Sequence, residues 1–310
     1  MSGRRTKDYH ESIPVGIVAK TRTVLEMIKF EHSIFALPFA LTGALLAIRG
    51  SGLSGMEIAA KLGWIVLAMV AARSAAMAFN RIVDADIDAQ NPRTATRAIP
   101  AGQVSKAFTW GFIALWSAVF VFASAMLNPL CLKLSPVALL IVCGYSYTKR
   151  FTALSHLVLG LALGIAPAAA WIAVRGENSA SIWLLTAAVM LWVGGFDIIY
   201  SCQDAEFDRA AGLHSLPSKL GKARALWLAR ILHVVMVGTL VLLWSRMELG
   251  WLGLLGVGLV AALLLYEHSL VSADDLSKVD AAFFTVNGYV SVLFFVCWGA
   301  DIWVNGGFLQ

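Results

Sequence analysis

The sequence predicts an all-α, polytopic membrane protein, and three observations lead there. Of its 310 residues, 59% are hydrophobic and only 14% are charged, where a soluble domain carries about 25% charged residues. Runs of about 18 or more apolar residues, long enough to cross a bilayer as helices, recur along most of the chain. In lipid the backbone must satisfy its own hydrogen bonds, so spans are helices or closed barrels. These runs are too long and too continuous for barrel strands.

In chain order, residues 1–32 form a polar, basic lead-in with Pro14 and no apolar core followed by a small-residue cleavage site, so no cleavable signal is expected. Val24 to Phe30 is expected to lie on the membrane surface as an amphipathic helix, with Lys20, Arg22 and Lys29 toward headgroups. Nine spans follow, at roughly 33–48, 58–80, 107–127, 134–148, 153–173, 181–201, 225–244, 250–270 and 281–304. The fourth is the shortest. His32, at the start of the first, reads as an interfacial histidine. The four cysteines, Cys131, Cys143, Cys202 and Cys297, show no CxxC pairing and read as packing residues.

Charge distribution gives sidedness. With the N-terminus inside, 17 lysines and arginines fall in inner segments and five in outer ones, while Arg73 and Arg230 lie within spans. That bias predicts a cytoplasmic N-terminus and an external C-terminus.

The polar residues then stand out. Phe79 to Gly102 closes the second span with Asn80, Asp84 and Asp88 spaced four apart, which puts them on one helical face. Arg93 and Arg97 lie just beyond. A second pair, Asp204 and Asp208, closes the sixth span. By the charge count both pairs open on the cytoplasmic side. One aspartate at a helix end is ordinary. Four at matched spacing on two helices need cations to offset their mutual repulsion. Mg²⁺ suits them, since it takes hard oxygen ligands, commonly one or two carboxylates plus substrate phosphates.

Arg73 precedes Asn80 by seven residues and shares its face. It either snorkels to the inner interface or faces the site. Asp197 stands seven before Asp204 and is expected to line the same cavity, because a lipid-facing aspartate there is costly. Tyr145, Lys149 and Arg150 end the fourth span on the inner side, as positive-inside decoration or as a phosphate grip beside a tyrosine. Acidic clusters, metal and basic residues together fit ionisation of a diphosphate, the cations stabilising charge on the leaving group. Apolar walls suit an isoprenoid tail. A weak internal echo accompanies this: each aspartate pair is followed by a short polar loop, a proline and the next span.

These residues resemble a known family. Asn80-Arg81-x-x-Asp84-x-x-x-Asp88 with Arg93-Thr94-x-x-Arg97 is similar to the first aspartate motif of the UbiA superfamily of intramembrane prenyltransferases. Tyr145-x-x-x-Lys149-Arg150 resembles its YxxxK element. Asp204-x-x-x-Asp208, preceded by Tyr200 and Gln203, resembles its second aspartate motif. Arg81 stands where many members have Asp, which bears on that position as a metal ligand.

The resemblance implies one domain over 1–310, with nine helices around a central cavity open to the cytoplasm. It implies Mg²⁺ held by Asp84, Asp88, Asp204 and Asp208, directly or through water, with Asn80 supporting. Arg93, Arg97, Lys149 and Arg150 would grip the diphosphate, Arg150 or Arg73 would meet the acceptor's carboxylate, and Tyr145, Tyr200 and Gln203 would border the substrate. Asp197 is expected to orient or deprotonate the aromatic acceptor. The implied partners are a polyprenyl diphosphate, an aromatic acid and the lipid bilayer of the inner membrane, with no nucleic acid. QDAEFDRAAGLHSLP resembles the 4-hydroxybenzoate group of ubiquinone-type synthesis, while KFEHSIFALPFAL resembles a menaquinone-pathway branch whose acceptor is a naphthoate.

Two rivals fit less well. An ion transporter would place its carboxylates near the midplane on broken helices, and these lie at inner ends. A membrane phosphotransferase would carry its two acidic clusters close together in sequence.

Overall fold

The computed structural model describes residues 17–27 and 35–305, with side chains of the first segment placed from Thr21 to Glu26. Pro14, Lys29, Phe30 and His32 lie outside the described residues, as does the side chain of Lys20. The described residues contain helices and no strand: α1 (Ile17–Met27), α2 (Leu37–Ile48), α3 (Gly55–Val83), α4 (Ala85–Asp88), α5 (Lys106–Leu127), α6 (Pro129–Thr148) and α7 (Ser155–Arg175) come first. Then follow α8 (Ile182–Ser201), α9 (Ala205–Ala210), α10 (Leu216–Leu220), α11 (Lys222–Arg246), α12 (Trp251–Ser269), a π-helical turn (Ala281–Val286) and α13 (Asn287–Asn305).

Eight of these are long and apolar enough to cross a membrane among the described residues. The first expected span is the exception. Its described part, α2, has 12 residues and is only about 18 Å long. The fourth expected span begins five residues early. Asn128 Oδ1 accepts the Cys131 N–H at 2.9 Å and Pro129 takes the first helical position, a start that needs no apolar residue. Lys133 then falls inside the helix, where its long stem lets the ammonium snorkel.

Of the expected surface helix at 24–30, residues 24–27 fall in α1, which begins seven residues earlier at Ile17, and residues 28–30 lie outside the described residues. Val24 is fully buried, packed with Ala78, Ala98, Val104, Phe112 and Ile113, so this helix grips protein as well as facing outward.

Helix α8 is the spine. Its Ile182, Leu185, Val189, Trp192, Val193 and Phe196 are buried against α11, α12 and α13. Lipid offers no hydrophobic drive between helices, so close approach is achieved with small residues. At Gly164 of α7 a Cβ would come 2.7 Å from the Thr186 carbonyl oxygen, and at Gly43 of α2 it would come 2.8 Å from Pro167 Cα.

The start of α12 is closed from α13. Asp301, completely buried, accepts the Gly250 N–H at 2.8 Å, the Gly253 N–H at 2.6 Å and Asn305 Nδ2–H at 2.8 Å. A buried carboxylate thereby satisfies two of the orphan donors of a helix N-terminus.

Because successive long helices are antiparallel, α3, α6 and α8 finish at one end of the bundle. That end carries the site.

Candidate active site

Helix α3 ends at Asp84, whose N–H still reaches the Asn80 carbonyl at 2.9 Å. One short helix later the chain turns into the loop 89–105. Asp84 is 3% exposed. It receives Lys149 Nζ at 3.0 Å, Arg150 Nη2 at 3.2 Å and Asn80 Nδ2 at 3.0 Å. Asp88, 4% exposed, takes Arg97 Nη1 at 2.7 Å on both oxygens.

The second pair meets the first through the loop. Arg93 donates from Nε to Asp204 Oδ1 at 2.9 Å and from Nη2 to Asp204 Oδ2, a bidentate fork. Asn91 Nδ2 adds a bond to Asp204 Oδ1 at 3.1 Å, and Arg93 Nη1 donates to the Tyr200 hydroxyl at 3.2 Å. Burial disfavours the Arg93 charge, but the hydrogen bond and charge of Asp204, with Tyr200 and Asp88 behind it, outweigh that and raise its pKa above the usual arginine value. Asp208 has no ion-pair partner among the described residues; a side-chain hydrogen bond with Ser215 holds it.

All four aspartates border one cavity of about 810 Å³. Arg73, Asn80, Arg93, Arg97, Tyr145, Lys149, Asp197 and Tyr200 line it too. From this polar mouth it runs along α3, α5, α6 and α7 past Ala68, Met69, Phe120, Leu127, Leu134 and Val142, an apolar channel for a hydrocarbon chain. Arg73 Nε is buried and makes no hydrogen bond.

Two expected substrate contacts are placed elsewhere. Arg150 does not line the cavity. It sits behind Asp84, donating to the Ser146 and Val83 carbonyls at 2.8 and 2.7 Å, so its role in this structure is to hold the end of α3. Gln203 also lies off the cavity and donates to the Tyr200 carbonyl at 3.2 Å. Sequence reasoning missed Asn91 and His156. His156, 3% exposed, accepts the Leu216 N–H on Nε2 at 3.2 Å. The proton must then sit on Nδ1, which donates to Asp197 Oδ2 at 2.6 Å. No spacing in the sequence links residues 156, 197 and 216. Asn91 carries a local signal, since it opens the Asn-Pro-Arg turn that aims Arg93.

The donor set fits a divalent cation of the Mg²⁺ type. It is made of hard carboxylate oxygens from two helices at one mouth, with basic groups alongside for phosphate. Among the described residues no three acidic, histidine or cysteine side chains converge into a ready-made metal cage. That suits an ion that keeps its waters and is shared with substrate phosphates.

Known proteins resemble this chain in sequence and in fold. The model of the UbiA prenyltransferase family matches residues 36–295. The 4-hydroxybenzoate octaprenyltransferase of Photobacterium profundum is 27% identical over 90% of this chain and 96% of its own length. That of Vibrio campbellii is 31% identical over 74% and 80%. Among solved structures, the apo UbiA homolog from Aeropyrum pernix superposes with a TM-score of 0.78 at 36% identity, covering 89% of this chain and 98% of that one. An Archaeoglobus fulgidus UbiA homolog bound to GPP and Mg²⁺ shares the fold, with a TM-score of 0.67 at 20% identity over 90% and 99%. An intramembrane, all-helical enzyme of prenyl transfer accounts for both the sequence match and the cavity, and this chain belongs to the UbiA prenyltransferase family.

Proposed function

We propose that the protein transfers a polyprenyl group from polyprenyl diphosphate to 4-hydroxybenzoate, releasing diphosphate, at the cytoplasmic face of the inner membrane. The observation that carries this is the meeting of both acidic pairs, through Arg93 and Asn91, at the mouth of one apolar-walled cavity. The names of the relatives support the acceptor, and the 17-to-5 charge bias supports the orientation.

Asp84, Asp88, Asp204 and Asp208 would hold Mg²⁺, with Asn80 fixing Asp84. When bound, Mg²⁺ neutralises the diphosphate and lowers the cost of its developing charge. Arg93, Arg97 and Lys149 exchange their carboxylate partners for phosphate oxygens. The C1–O bond breaks with its electron pair leaving on the diphosphate, and the allylic carbon is taken up by the acceptor ring. Arg73, partly buried with its buried Nε unpaired, faces the acceptor's carboxylate. Asp197, oriented by His156, takes the acceptor's proton. Tyr145 closes the cavity wall beside them, and the apolar walls exclude water from the cation.

The test is to incubate membranes holding the protein with labelled polyprenyl diphosphate, Mg²⁺ and, separately, 4-hydroxybenzoate or a hydroxynaphthoate. Prenylated 4-hydroxybenzoate is expected. A naphthoate product alone would move the acceptor assignment, and no prenylated product from either acid would overturn the reading.

A further inference from the structure

We propose that a wall of aromatic rings, Phe196, Tyr200, Phe283 and Phe284, stabilises the allylic cation formed when the C1–O bond breaks. We propose also that the π-helical turn 281–286 exists to seat two of those rings. The proposal rests on the prenyl-transfer reading above and adds residues that reading does not use.

All four rings line the cavity. Tyr200 and Phe283 lie with centroids 4.2 Å apart at 33°. Phe283 meets Phe196 at 5.1 Å and 88° and Phe284 at 4.6 Å and 87°. The wall starts at the diphosphate end, where the Arg93 guanidinium already sits 5.5 Å from the Tyr200 centroid. A ring face at that range attracts a cation through its quadrupole. In a dry cavity that attraction is larger than at a surface.

The backbone is shaped for this. A regular helix turns neighbouring side chains about 100° apart, and a turn with more residues brings neighbours such as Phe283 and Phe284 closer in direction beside the cavity. The wider π turn, a feature often found at functional sites, lets both line it. Its carbonyls are held from behind. Asn287 Nδ2 lies 3.1 Å from the Ala282 oxygen, 3.2 Å from the Phe283 oxygen and 2.8 Å from Glu267 Oε1. Trp192 Nε1 donates to Asn287 Oδ1 at 2.6 Å. Asn287 and Glu267 are completely buried and neither lines the cavity. Such a polar network inside an apolar bundle is costly. Asn287 is therefore a positioning residue for the wall.

In the step itself the C1–O electron pair leaves with the diphosphate. The rings face the electron-poor allylic carbon until the acceptor ring forms the new C–C bond and gives up its proton. The same wall stacking the acceptor is the competing explanation. An ionised, electron-rich acceptor ring prefers an electron-poor face, so the two explanations predict opposite signs.

The test replaces Phe283 in the full chain with mono-, di- and trifluorophenylalanine, which are nearly isosteric and progressively electron-poor. Turnover with 4-hydroxybenzoate and the Kd of an unreactive prenyl thiolodiphosphate are measured. The expected result is a stepwise fall in kcat, about twofold per fluorine and about tenfold overall, at constant Kd. Asn287→Ala is expected to lower kcat by about tenfold at constant Kd, and the isosteric series stands even if that variant does not fold. A flat series with active unsubstituted protein overturns the cation role alone. A rise in turnover or a lower acceptor KM shows acceptor stacking and also overturns it. If the unsubstituted protein forms no prenylated product, the prenyl-transfer reading falls first.

Discussion

Two regions bury carboxylates inside the same bundle, and they treat them in opposite ways. At the α12 end, Asp301 is sealed, with three N–H donors on its two oxygens and no exposure. At the mouth, Asp197 has one hydrogen bond, from His156, its side chain is 23% exposed, and it borders the cavity. Both are aspartates within apolar helices, and hydropathy cannot tell them apart. The difference lies in what remains unsatisfied. A carboxylate whose acceptor capacity is used up by fixed backbone donors stabilises a fold. One held by a single partner beside a cavity is left with capacity for a substrate. Three of the mouth aspartates reach that availability by another route, since the Lys149, Arg97 and Arg93 that hold Asp84, Asp88 and Asp204 line the cavity and can exchange a carboxylate for a phosphate.

Substitutions can break or sharpen that contrast. The largest effect is expected for Asp84→Ala or Asp204→Ala, about 10³-fold or more in Mg²⁺-dependent diphosphate release with the bundle still folded. Near-normal release in either would remove the mouth from the chemistry. Next comes Asp301→Ala, which leaves the Gly250 and Gly253 N–H groups unpaired and should cost about 2–5 kcal/mol of stability. A thermal melt in detergent should show it, and turnover per folded molecule should not change. His156→Ala is expected to cost about tenfold, or about 1.4 kcal/mol. The loss should appear in acceptor coupling, with more prenyl alcohol formed per diphosphate released. Asn91→Ala should be smallest, a few-fold rise in the Mg²⁺ concentration needed for half-maximal rate, because Arg93 still holds Asp204.

What the sequence revealed and what it concealed divide along physical lines. Asn80, Asp84 and Asp88 were legible because helical spacing alone puts them on one face, and Asp204 and Asp208 for the same reason. Charge counting grouped both pairs on one side without any contact being known. Residues whose role depends on tertiary approach were not legible. Arg150 follows Lys149 directly, yet one reaches the cavity and the other turns back to clamp the end of α3. His156 is an unremarkable histidine at a span's start until α8 and the turn at Leu216 come against it. The bundle followed from apolar runs, but the start of α6 was set by Asn128 and Pro129, a cap that outweighs hydropathy. The π turn at 281–286 left no trace in periodicity, since one displaced hydrogen bond shifts the register too little to read.

The central claim is that two distant acidic pairs act as one site for a divalent ion and a diphosphate. A double-mutant cycle on binding tests it most directly. The affinity of purified protein for an unreactive prenyl thiolodiphosphate in Mg²⁺ is measured for the unsubstituted chain, Asp84→Ala, Asp204→Ala and the double variant. One shared site predicts that each single change removes most of the Mg²⁺-dependent affinity and that the double loses little more. Independent losses that simply add, or either single variant binding as tightly as the unsubstituted chain, would contradict it.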